Sequence, residues 1–494
     1  MLKDIKMKKT ILLIITAVGI AFIAPAQKKS SKNLQNDIPT GYLDASFKTY
    51  DKLQKTIWSY AELGFIETKS SSLLQQHLKE NGFSIEAGVA GMPTAFVASY
   101  GSGSPVIGIL AEFDALPGLS QDTVPYRKAL TEGGSGHGCG HHVFGVGSSA
   151  GAVAIKQWLE KTGTKGTIKV FGSPAEEGGG GKVYLAREGF FKGVDVVLDW
   201  HPAAQNGVSR GSGLAIQMID FSFYGKASHA SAAPEKGRSA LDGVEGFDYL
   251  VNMMREHIPS DARVHYVITN GGDAPNVVPA FAKVSYYIRS PKRKDLSDLI
   301  DRIQKAAQGA ALGTGTTVKS EVISGFYEKL PNDLLAKQLQ KNLEIVGGIK
   351  YDARERSFAE EVEKELGWSI DSLRKVSIVQ PWKENPERRD GGGSSDVGDV
   401  SWNVPTASFG TAAFIPGTGG HSWENVASSG TTIGTKALIN AAKVFSLTAI
   451  DLFTNPELVI SIKKEFDQRR GSDFKYESLV GNRAPALDYR VKKQ

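Results

Sequence analysis

Along most of this chain, short continuous apolar runs alternate with stretches of helical period, and few folds accept that order. Residues 94–99, 105–111, 166–172 and 194–200 read as strands, and 45–82, 143–159 and 182–189 as helices. Strands that are apolar on both faces must be covered on both, which points to a parallel sheet packed between helices. The pattern changes near Gly213. From there, strands are expected at 215–224, 264–270, 281–289 and 317–322 and helices at 240–257 and 294–311, the β-α-β-β-α-β order of a ferredoxin-like split unit. Helical stretches resume at 332–346 and 351–366, a short strand is expected at 377–380, and a strand (406–409) and helix (434–445) follow the Gly-rich stretch 391–395. The expected architecture is α/β: a largely parallel sheet sandwiched by helices, built from 42–213 and 329–454, with an inserted ferredoxin-like α+β lid or dimerisation unit at 214–328. Residues 455–494 read as a polar helical tail without chemistry.

The N-terminus follows different rules. A basic stretch from Lys3 to Lys9, an apolar run over 11–23 and Ala24-Pro25-Ala26 make the three-part layout of a secretory signal peptide, residues 1–26. The run is shorter than the roughly 20 apolar residues needed to span a bilayer, so cleavage and export to a periplasm or medium are expected, with no stable membrane anchor. Residues 27–41 are polar and read as a mobile leader. The net charge of +5 is small against 58 basic and 53 acidic residues, and no basic stripe with interleaved aromatics argues for nucleic acid.

The chain has a single Cys, Cys139, which excludes an intramolecular disulfide. It lies in GHGCGHH (136–142), where Cys139 and His141, separated by one Gly, can turn toward one ion; thiolate and imidazole suit zinc-like metals. Composition alone favours a buried structural Cys here. Two adjacent carboxylates, Glu176 and Glu177, follow the apolar run 166–172, the end of a strand at which α/β sheets place active sites. Neighbouring residues point apart, so one can bind metal while the other faces a reacting water; taken alone, such a pair is commonly solvated surface. His201 ends the run 194–200, and His421 lies in the Gly-rich loop GTGGHS (417–422). Each His by itself reads more readily as structural, but all these positions fall at strand ends or loops in a chain with 9 His. Asp114, after the run 105–111, is placed to stand behind a ligating His and fix its tautomer.

Taken in order, LAEFDALPG, GHGCGHH, SPAEEGGGG, DWHP, GKASHASAAPEKGRSAL, GGDAPNVVP and GTGGHSW resemble the aminoacylase/carboxypeptidase family of dinuclear metallo-amidohydrolases, most nearly its branch of aminobenzoyl-glutamate and auxin-conjugate hydrolases, over about 42–447. The resemblance implies two divalent transition metal ions per chain, zinc or manganese with cobalt as a third candidate. Their implied ligands are Cys139, which would bridge them, His141, Glu177, His201 and His421, with Glu176 as general base. It implies that His229, in the inserted unit, reaches the site of a partner subunit in a homodimer and stabilises an oxyanion, and that Asn276 and Arg289 contact substrate. Arg suits a substrate carboxylate. The implied reaction is hydrolysis of the amide bond of an N-acyl-amino acid or aryl-glutamate conjugate; a dipeptidase or carboxypeptidase acting on short peptides is the alternative. A non-catalytic binding relative would lack ligands, and here the ligands and the Glu base are present together. Two positions depart from the pattern: His142 stands where relatives carry Asp or Asn, and Glu112 stands where other branches carry a ligating His.

Overall fold

The structure is a computed structural model that describes residues 31–367, 370–384 and 393–491. The signal-peptide reading and the first residues of the leader therefore lie outside the described residues. A first sheet runs β1 (Ser84–Ala87), β2 (Phe96–Ser102), β4 (Gly166–Gly172), β3 (Val106–Ala111), β5 (Val196–Ala203), β11 (Thr406–Ala412), β6 (Gly207–Ser209). Its centre, β4-β3-β5-β11, is parallel throughout; β1 and β2 extend one edge antiparallel and β6 the other. The central strands are the continuous apolar runs of the sequence, and β5 is buried along nearly its whole length. Helices His141–Thr162 and Thr432–Thr454 pack against each other and onto these strands. Thr432–Thr454 is long and apolar enough to cross a membrane, but its residues are largely buried in this protein's own core, where Leu438, Ala442 and Phe445 are inaccessible.

A second, antiparallel sheet runs β10 (Thr317–Phe326), β7 (Ala215–Tyr224), β9 (Phe281–Ser290), β8 (Arg263–Asn270). Helices Ala240–Met254 and Arg293–Thr314 pack together over it and give the expected β-α-β-β-α-β order. Burial alternates along β9, as one covered face requires. Phe221, Phe223, Phe247, Tyr286 and Ile303 form a core separate from that of the first sheet.

Three expectations need correction. Residues 31–45 are helical rather than a mobile leader, and Ile38 and Leu43 pack onto the main core. The stretch 377–380 makes one bridge, Asn206 to Val379, and not a strand, because Ile370–Ser377 has already closed into a 3-10 turn. The tail is helical only over Pro456–Arg470; Gly471 ends that helix, and the chain beyond it runs in turns past β7 and β10 to the loop after β4.

Candidate active site

The parallel centre of the first sheet sends its strand ends to one place. Glu112 and Asp114 follow β3, Glu176 and Glu177 follow β4, His201 lies near the end of β5, and His421 is in the loop after β11. Cys139 and His141 approach from the loop that opens helix His141–Thr162. Gly140 between them has φ +75°, and a Cβ there would lie 2.9 Å from Pro202 and 3.0 Å from Phe414, so only Gly lets the two ligand candidates turn inward together. Two non-Gly residues at the site, Ala175 (φ 56°) and His421 (φ 55°), are held in the left-handed region, a local cost that the surrounding structure must offset. At Ala175 part of that offset is visible: its N–H donates to buried Glu67 at 2.8 Å.

Hydrogen bonds set the chemistry of the two buried imidazoles. His141 Nδ1 lies 2.7 Å from Asp114 Oδ1, and His201 Nδ1 lies 2.7 Å from the Pro202 carbonyl. Both partners accept, so each Nδ1 carries a proton and each Nε2 faces the site, free to turn a lone pair to a metal once it has lost any proton of its own. Asp114 also accepts the Glu177 N–H at 2.9 Å and so ties two motifs together. Burial would push the Cys139 thiol up, but His141 and His201 beside it hold it well below the ordinary thiol value, as a thiolate ligand requires. His142 is not in the site: it is buried on the far side of the loop against His137, with Nε2 3.2 Å from the Ser429 carbonyl.

The donors fall into overlapping groups whose ligand atoms lie within 4.8 Å of one another: Cys139, His141 and His201; Cys139, Glu177 and His421; Glu112, His141 and Glu176. Cys139 Sγ is 3.4 Å from His201 Nε2, and His421 Nε2 is 3.2 Å from Glu177 Oε1. Neighbouring ligands on one ion, at bond lengths of about 2.0–2.3 Å, stand roughly 3.0–3.6 Å apart. Glu177 Oε1 is buried without a hydrogen-bond partner. Donors spaced for a shared ion, with Glu177 Oε1 and His141 Nε2 left without hydrogen bonds, fit divalent metal at this place.

Residues missed in the sequence lie just behind. Lys182, fully buried, sets Nζ 2.5 Å from Glu112 Oε1 and 2.7 Å from Asp396 Oδ1, and both carboxylates are also buried. The tail likewise reaches the site, contrary to the expectation that it carries no chemistry. Tyr489 Oη and Arg490 Nη2 donate to the Glu177 carbonyl at 3.0 and 2.8 Å.

The donors open into a cavity of about 1050 Å³ whose lining also includes Arg289 and Tyr287 of β9 and Arg210, Lys329 and Arg490. Arg289 Nε is buried without a partner. His229 and Asn276 do not line the cavity. They lie side by side on the second unit, exposed, where His229 bridges Val277 and the Ala230 N–H donates to the Asn276 carbonyl.

The Peptidase family M20/M25/M40 model matches residues 108–450. A p-aminobenzoyl-glutamate hydrolase polypeptide of Escherichia coli is 37% identical over 449 residues, covering 86% of this chain and 93% of that protein. The mouse Xaa-Arg dipeptidase is 29% identical, over 86% of this chain and 90% of its own. Among solved structures, a dinuclear metal binding peptidase from M20 family of Bacillus subtilis shares the fold, with a TM-score of 0.52 and 19% identity over 83% of this chain and 99% of that one. The strand-end arrangement of the donors and these likenesses lead to one conclusion: the chain belongs to peptidase family M20/M25/M40 and is a hydrolase of amide or peptide bonds.

Proposed function

We propose that this enzyme hydrolyses the amide bond of an acidic N-acyl-amino acid or aryl-glutamate conjugate, using two divalent metal ions and Glu176. The observation that carries the reading is the pairing of two donor groups hinged on Cys139 with Arg289, Lys329 and Arg490 in the lining of the same cavity. Cys139, His141 and His201 would hold one ion and Cys139, Glu177 and His421 the other, with zinc or manganese the expected metals and cobalt a substitute. Ions bound there supply Lewis acidity, polarising the scissile carbonyl and acidifying water. Glu176 takes a proton from the attacking water and delivers it to the departing amine nitrogen as the C–N bond breaks. Arg289, with its unpaired Nε, receives a substrate carboxylate.

Arg210, Arg289, Lys329 and Arg490 around one cavity favour substrates with carboxylates over those with a cationic side chain. That argues for an acidic amino-acid product ahead of a basic dipeptide, although Arg289 would serve a peptide's C-terminal carboxylate equally well. His229 and Asn276 act on a second subunit's cavity in a homodimer, a reading supported by their exposed position away from their own. The N-terminal signal layout supports a location outside the cytoplasm, where the enzyme scavenges conjugates. The test is a panel of aminobenzoyl-glutamate, N-acyl-amino acids and dipeptides, assayed after chelation and after adding back Mn²⁺, Zn²⁺ or Co²⁺. Turnover that survives complete removal of transition metal would overturn the proposal.

A further inference from the structure

A buried carboxylate without a paired cation is costly to keep, and one stands beside the loop of Glu176 and Glu177 with no role in the scheme above. Glu67 is inaccessible. Its oxygens meet two donors: the Ala175 N–H reaches Oε1 at 2.8 Å, and Thr94 Oγ1 reaches Oε2 at 3.0 Å. Burial, and then the charge of Asp114, push its carboxyl up to about 8. Oε1 accepts from Ala175 in either ionisation state, because a proton on Oε2 can be given to Thr94 Oγ1. Helix capping does not explain the residue. Glu67 precedes helix Thr68–Glu80, but its side chain makes no capping bond there. Glu62 serves that end instead, accepting the Lys69 and Ser70 N–H groups at 3.1 and 2.8 Å.

Ala175, whose N–H Glu67 fixes, directly precedes Glu176 and has φ 56°, a conformation that crowds the Cβ of an L-residue against its own backbone. The packing is built around it. A Cβ added at Gly64 or Gly179 would lie 2.8 or 2.6 Å from the Ala175 Cβ, so both neighbours must be Gly for Ala175 to fit. Glu177 has separate holds: Asp114 accepts its N–H at 2.9 Å, and Tyr489 and Arg490 donate to its carbonyl. Glu176 is held by the backbone on either side of it. The Ala175 N–H is anchored before it, and its own carbonyl accepts the Gly178 N–H at 2.7 Å after it. Were Ala175 to relax to negative φ, the next peptide would turn, and Glu176 would lose its aim at the cavity it lines.

We propose that Glu67 is a positioning residue: through the Ala175 N–H it holds the left-handed turn that aims Glu176 into the cavity. This rests on the reading of Glu176 as general base. Glu67 itself touches no substrate. Its burial beside Asp114 lowers stability, and in exchange a strained backbone is set in place before substrate arrives. Gly at position 175 would reach the same conformation without an anchor but would also leave it freely. Ala held by Glu67 defines the turn more sharply.

The test separates kcat from KM, metal content and stability. Full-length mature protein with its metal restored is assayed on the panel substrate it turns over fastest, with thermal melting and elemental analysis of the same preparations. Glu67→Ala should lower kcat by at least about tenfold, within the hundredfold that a displacement on the order of 1 Å can cost. KM and metal content should stay near the wild-type values. Glu67→Gln offers Ala175 an acceptor and Thr94 a donor, and should restore most of kcat. Adding Ala175→Gly to Glu67→Ala should also recover much of the lost kcat, since Gly takes positive φ unaided. A residue needed only for stability would lower the melting temperature, leave kcat per folded molecule unchanged and show no such rescue. Should Glu67→Ala fold poorly, Glu67→Asp withdraws the acceptor by one methylene and should show the same loss and the same rescue. Wild-type kcat in the folded variant, or a loss that Ala175→Gly leaves untouched, would overturn the proposal. Glu176→Gln assayed beside them checks the reading beneath it: full activity there would overturn the assignment of the base itself.

Discussion

Burial first, and then the charges of Glu112 and Glu177, push the Glu176 carboxyl well above the ordinary carboxylate range, which suits a group that must accept a proton and give it back. Glu176→Gln keeps the volume and removes the proposed base, so turnover should fall by about two to four orders of magnitude. Metal content, read by elemental analysis of the same preparation, should stay at the wild-type level because Glu177 is the proposed ligand of the pair. A variant that keeps full activity would reverse the two assignments. The candidate donors were legible because each is a Cys, His or Glu in a Gly-rich loop or at the end of an apolar run. Lys182 and Asp396 were not: they come from distant stretches, and only their burial against each other and against Glu112 distinguishes them from surface charge.

At the scale of elements, the apolar runs announced the parallel centre of the first sheet, since a strand buried on both faces needs no period to be recognised. Its edges carry no such signal: β1 is mostly exposed and four residues long, and β6 has three residues. The tail was misread for a related reason. Tyr489 and Arg490 act on a backbone carbonyl, and a carbonyl leaves no trace in sequence. Because that carbonyl belongs to Glu177, the tail braces a proposed ligand, and Arg490→Ala should lower kcat/KM by about tenfold through loss of positioning. The affinity of the ion assigned to Glu177 should drop with it in a chelator titration, and unchanged values of both would leave the tail a merely structural strap. In the second unit, burial raises the Asp248 carboxyl from 3.8 to about 6 while Tyr286 donates to it at 2.5 Å. The folded value lies above the unfolded one, so folding favours the protonated form. Its contribution is complete below about pH 4 and is lost as pH rises through about 6. Asp248→Asn retains an acceptor for Tyr286 and removes the ionisation. Urea unfolding between pH 4 and 7 should show a decline on the order of 1 kcal/mol in the wild type that is flattened in the variant.

For the whole molecule, the open question is how a cavity floored by one unit is completed. The second unit exposes β8 as an unpaired edge, with Val267 and Ile268 at 61% and 41% exposure, beside exposed Tyr249 and Met253 on its helix. An apolar edge strand is a pairing site unless it is covered, and covering it with a second copy would set the two second units together. His229 and Asn276 stand on that unit with no part in their own cavity, as residues serving a neighbour would. Spacing along the chain says nothing about which copy a residue serves, so the assignment of His229 to a partner's site came from the family resemblance alone. His229→Ala should therefore lose turnover while keeping metal and self-association. Mixing it with Glu176→Gln subunits distinguishes the geometries. In a mixed dimer one site has its own Glu176 and receives His229 from the partner that carries the Gln substitution, so it is complete, while the other lacks both groups. Random exchange makes about half of the dimers mixed, each with one working site, so activity should recover to about a quarter of wild type by two-fold symmetry. If subunits exchange, shown by mass spectrometry of differently tagged chains, and activity stays at the level of the single variants, His229 serves its own chain or none.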